Sequence, residues 1–93
     1  MTTTDPKYDR VLLFASVYQA IRAEKLLSGA GVAILAIPTP REIDVSCGQS
    51  LLLLAEDEPR ALALLAESRV TWSKLFRRNG AMRVYEKIKD FEG

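Results

Sequence analysis

The sequence predicts a single α+β domain of order β-α-β-β-α-β, an antiparallel sheet with both helices on one face and an extra C-terminal strand. Three observations predict it. Continuous apolar runs of strand length occur at Val11–Ala15, Val32–Ile37 and Leu51–Ala55. Apolar residues at helical spacing fill the gap between the first and second runs, and recur after the third. Asn79-Gly80 then stands between Leu75-Phe76-Arg77 and Met82-Arg83-Val84-Tyr85, a short-hairpin signal. Ninety-three residues make one small domain, and 48% hydrophobic residues suffice for a core.

Taken in order, residues 1–9 read as a flexible polar tail, 10–88 as the domain and 89–93 as a solvated end. Val11–Ala15 is the first strand. Ser16 with Gln19 three residues on is a capping-box pattern, so a helix starts at Val17. Ala20, Ala23, Leu27 and Ala30 form its buried stripe, with Ile21 and Leu26 widening it, and Gly29 and Gly31 are stop signals. Val32–Ile37 is the second strand and Leu51–Ala55 the third. Asp57 can cap a second helix with Pro59 in its first turn, burying Ala61, Leu62, Leu65 and Ala66. Val70-Thr71-Trp72 begins a fourth strand leading into the hairpin; a short helix over Ser73–Arg78 is the alternative. The order is that of the ferredoxin-like, split βαβ topology. Strands 1 and 3 are then central, and the loop between strands 2 and 3 emerges beside the start of the first helix.

That loop is Pro38-Thr39-Pro40-Arg41-Glu42-Ile43-Asp44-Val45-Ser46-Cys47-Gly48, with two of the four prolines and the sole cysteine. Pro38 and Pro40 restrict φ and push their predecessors toward extended geometry. Gly48 allows a close approach of backbone or ligand.

Composition excludes much chemistry. Thirteen basic residues against 12 acidic leave no electrostatic footprint for nucleic acid. The absence of histidine removes Cys-His and Ser-His-Asp catalysis, and one thiol cannot build an all-cysteine metal site. No cofactor is implied. No apolar run approaches the roughly 20 residues of a membrane span. A single cysteine and a polar N-terminus point to a reducing cytoplasm.

Cys47 is therefore the one candidate for chemistry. A lone cysteine is commonly a small buried hydrophobe. Its polar neighbours and the helix N-terminus expected near it instead favour a thiolate. Arg41 is either a solvated loop charge, paired with Glu42 or Asp44, or a permanent cation beside the thiolate. An ordinary thiol, with a pKa of about 8.5, is only slightly ionised at neutral pH. Asp44 and Glu42 oppose further ionisation.

Pro38-Thr39-Pro40-Arg41-Glu42-Ile43 followed by Ser46-Cys47-Gly48 resembles the signature of the selenium/sulfur (Se/S) carrier protein-like family. Ala23-Glu24-Lys25-Leu26-Leu27 and Gly31-Val32 resemble that family's first helix and second strand, and the likeness spans roughly residues 10–76. Where the family's loop tends to carry serines, this chain has Asp44-Val45. The resemblance implies a carrier rather than an enzyme. Cys47 would hold sulfur or selenium as a persulfide or selenopersulfide, supported by Arg41, Ser46, Gly48, Pro38, Thr39 and Pro40. Its partners would be a donor such as a cysteine desulfurase and an acceptor protein.

Two other readings stay open: a single-thiol redox sensor, and a ligand-binding or regulatory module in which Cys47 is incidental. RNA recognition on this fold needs aromatics on the sheet, and Leu51–Ala55 has none. A copper chaperone would want a second cysteine. Trp72, Phe76 and Met82 near the hairpin serve either a homodimer contact or ordinary core packing.

Overall fold

The computed structural model describes residues 8–41, 43, 48–79 and 84–91. Its elements in chain order are β1 (Arg10–Phe14), α1 (Val17–Gly29), β2 (Ile34–Pro38), β3 (Gln49–Leu53), α2 (Glu58–Glu67), β4 (Lys74–Asn79) and β5 (Val84–Asp90). A 3-10 turn over Ala55–Asp57 leads into α2. The sheet order is β2-β3-β1-β4-β5, and every neighbouring pair is antiparallel. This is the split βαβ arrangement with β1 and β3 inside and a fifth strand added at the edge.

The central strands follow from their residues. Val11 to Phe14 and Ser50 to Leu53 are all buried, so side chains of both parities must find cover. Leu12, Phe14, Leu51, Leu53 and Leu75 meet Ala20, Ala23, Leu27, Ala61 and Leu65 from the two helices. Small residues on those helices let them lie close on the sheet. Among the described residues, no helix covers the opposite face. There Val11, Leu13 and Leu52 are fully buried, with Tyr8, Leu35, Ile37, Ile43, Phe76 and Tyr85 packed against them.

Both helices end in the same way. After α1, Gly31 takes φ +82°, its N–H donates to the Ser28 carbonyl, and Val32 N–H donates to Leu27. This is a Schellman closure, with Val32 turned into the core. After α2, Arg69 takes the left-handed place at φ +57°, donating to Ala66, while Val70 N–H donates to Leu65 and its side chain is buried.

That second closure corrects the expected start of the fourth strand. Val70-Thr71-Trp72 completes the helix exit instead of opening β4, which begins at Lys74. Residues 74–78 are strand, not helix, and the β4–β5 hairpin is present. The turn residues from Gly80 lie outside the described residues. A second correction concerns Asp57. Its side chain caps nothing, because the 3-10 turn already gives it helical φ and ψ and its own N–H donates to Leu54. Pro59 does occupy the first turn of α2.

Asp9 and Phe91 are each tied to the sheet or its connections. Asp9 accepts from Ala55 N–H at 2.8 Å and from Arg78 N–H at 2.9 Å. At the other end β5 continues through Asp90 with exposed side chains, and Phe91 N–H donates to Ser73. Phe91 also meets Trp72 edge-on, with centroids 5.3 Å apart. Trp72 packs on the helix-side core and Phe76 on the other cluster, so both serve internal packing; Met82 lies outside the described residues.

Candidate functional site

The β2–β3 connection leaves the sheet beside the start of α1. The register brings this about: Phe14, the last residue of β1, is opposite Gln49, the first of β3. The chain turns from Phe14 into α1 within two residues, so Gly48 comes to lie against Val17. A Cβ built on Gly48 would be 3.7 Å from Val17 Cγ2, an ordinary contact.

The helix start is capped as expected from Ser16, in part. Ser16 Oγ accepts from Tyr18 N–H at 3.1 Å and from Gln19 N–H at 3.4 Å. The reciprocal half of the capping box is replaced: the Gln19 side-chain oxygen accepts from Arg22 Nη1. Two of the amides that an anion would seek are therefore already engaged. The helix dipole remains, and no acidic side chain lies in the first turn to offset it.

The proline end of the loop is anchored. Pro38 closes β2 opposite Gln49 and is exposed. Thr39 Oγ1 and Ser50 Oγ are 2.6 Å apart. Ser50 is completely buried, on the helix-free face between Leu13 and Ile37 in register. Pro40 is half-buried, and its carbonyl accepts from Ile43 N–H at 3.1 Å, forming a turn. Ile43 then packs on the Val11, Leu13 and Leu52 cluster. Arg41, within that turn, is exposed, as is Gly48.

Of the expected site residues, Pro38, Thr39, Pro40 and Arg41 thus form one corner and Gly48 stands at the helix start. Ser46 and Cys47, with Glu42, Asp44 and Val45, lie outside the described residues. Sequence reasoning passed over two participants. Ser50 carried a signal: a hydroxyl directly before the apolar run Leu51–Ala55. Val17 carried a signal only through the topology, which sets the β2–β3 loop beside the start of α1.

The first two turns of α1 also expose apolar surface. Val17, Tyr18 and Ile21 are 52%, 67% and 44% exposed, on the helix end nearest Gly48, so Ile21 does not widen the buried stripe of α1. The Arg22 guanidinium lies 5.8 Å from the centre of the Tyr18 ring. Among the described residues, no helix is long and apolar enough to cross a membrane.

No curated protein and no solved structure matches the chain. One family model does, the family described as "Putative Se/S carrier protein-like", over residues 9–77. The match takes in β1, α1, the whole of the Pro38–Gly48 connection, β3, α2 and most of β4, so the chain belongs to that Se/S carrier-like family.

Proposed function

We propose that the protein carries sulfur or selenium on Cys47 and hands it to an acceptor protein. The observation that carries this reading is the family membership, whose match covers the loop with the chain's only thiol. In the loading step the Cys47 thiolate attacks the outer sulfur of a donor persulfide. The donor's S–S bond breaks, its thiolate leaves, and a new S–S bond forms on Cys47. Delivery is the same exchange in reverse, with an acceptor nucleophile taking the outer sulfur and the Cys47 thiolate leaving. No net oxidation occurs, and a single thiol serves, because a neighbouring thiol would resolve the persulfide to a disulfide.

Several features support the reading. The corner from Pro38 to Pro40 is pinned to β3 through Ser50, and Gly48, next in the chain to Cys47, stands beside the start of α1. The exposed Arg41 and the acid-free start of α1 favour a bound anion such as a persulfide. Exposed Val17, Tyr18 and Ile21 offer contact area beside the loop to a donor, such as a cysteine desulfurase, and to an acceptor. The reducing cytoplasm is the compartment in which such a thiol would work.

Intact mass tests the reading. After incubation with a cysteine desulfurase and cysteine, the protein should gain one sulfur atom, reversible by thiol reductant. Cys47→Ala should keep its melting temperature and gain nothing. A reactive Cys47 that gains no sulfur, or gains oxygen instead, overturns the carrier reading.

A further inference from the structure

We infer that the Thr39–Ser50 hydroxyl pair is a positioning clip for the thiol-bearing connection. The inference deepens the carrier reading and rests on it for the use made of the loop, but not for the clip itself. Ser50 is fully buried, and its hydroxyl sits 2.6 Å from Thr39 Oγ1. A buried hydroxyl without a partner is costly, so Ser50 holds Thr39 as firmly as Thr39 satisfies Ser50. An alanine at this place in β3 would fill the face with no such obligation.

The location gives the pair its role. The last ladder pair between β2 and β3 is Pro38 with Gln49, and Pro38 has no N–H to donate. The clip adds a side-chain bond at that point, from Thr39 diagonally to Ser50, so the first residue past the ladder on the β2 side is held to β3. Between Thr39 and Ser50, Ile43 packs on the helix-free cluster and Gly48 stands where an added Cβ would meet Val17. Thr39 sits between two prolines of fixed φ, so tying its side chain to β3 orients the chain that enters the turn at Pro40. Thr39 and Ser50 are positioning residues: they act on Cys47 through the backbone on either side of it.

The test uses Thr39→Val, Ser50→Ala, the double variant and Thr39→Ser in the full chain. Three quantities are read: tryptic cleavage after Arg41 by mass, the rate of Cys47 alkylation against pH, and melting temperature. Each of Thr39→Val and Ser50→Ala should speed cleavage about three- to tenfold and move the midpoint of the alkylation profile. The double variant should go no further than either single one, because one bond is lost in all three, and Thr39→Ser should behave as the unaltered protein. Thr39 is only half-buried, so its variant tests the clip even where Ser50→Ala does not fold. Cleavage and alkylation profiles unchanged in Thr39→Val, whatever the melting temperature does, overturn the inference. Sulfur loading of the unaltered protein is scored separately; failure there removes the carrier reading and leaves the clip standing.

Discussion

The tie between β1 and α2 sets a stability prediction that can be worked from the geometry. Arg10 Nε donates to Glu58 Oε1 at 2.9 Å, and the two side chains are 16% and 20% exposed. At an effective dielectric of about 20, two unit charges about 3–4 Å apart attract by about 4–6 kcal/mol. Desolvation of two mostly buried groups offsets most of that, so the net worth of the pair is small. Removing one partner is a different matter, since it strands the other charge. A fully buried pair would then lose about 3–5 kcal/mol. Here the loss is less, because Arg10 Nη1 also donates to the Asp9 carbonyl and lies 3.6 Å from its carboxylate. Glu58→Ala should therefore cost about 1–2 kcal/mol, lowering the melting temperature by about 5–15 °C in a domain of this size. The apolar pair Arg10→Met with Glu58→Leu should recover most of the loss. Urea denaturation of the two single variants and the double one supplies the coupling energy. Additive losses, with no recovery in the apolar pair, would refute the idea that the charge left behind is what destabilises.

Two further predictions rest on single positions. Arg69 occupies a left-handed backbone conformation with a side chain that disfavours it, so Arg69→Gly should stabilise the fold by about 0.5–1 kcal/mol in chemical denaturation, after the extra chain entropy of glycine is counted. Ile21 is exposed beside the candidate site and far from the core stripe of α1, so Ile21→Asp should leave the melting temperature within a few degrees while slowing sulfur loading from a desulfurase about tenfold; an unchanged loading rate would remove this face from partner contact.

Much of this architecture is local information. Ser16 marks the start of α1 because a hydroxyl before an apolar stripe satisfies the first amides. Gly31 marks its end because only glycine takes the left-handed turn there without cost. The apolar runs identify β1 and β3 as central strands because side chains of both parities demand burial. The strand order follows from matching those elements to the split βαβ topology, in which strands 1 and 3 are central. The failures have the same logic. Asp57 has the composition of a cap, but a preceding 3-10 turn had already oriented the backbone. Val70 has the composition of a strand start, but Arg69 adopted a conformation that a sequence reader reserves for glycine. In the site, the proline corner and the thiol are plain in the sequence, since Pro restricts φ wherever it stands and no other thiol exists.

What the chain order alone determined is the list of elements, the single sulfur nucleophile and its stiff surroundings, all consequences of residue type and spacing within a few turns of backbone. The tertiary structure decided which distant groups meet: Ser50 with Thr39, Gly48 with Val17, Arg10 with Glu58, and Ile43 with the bare face of the sheet. Those contacts depend on strand register and on the antiparallel neighbourhood of β1 and β3, and a one-residue slip in either would send each side chain to the opposite face.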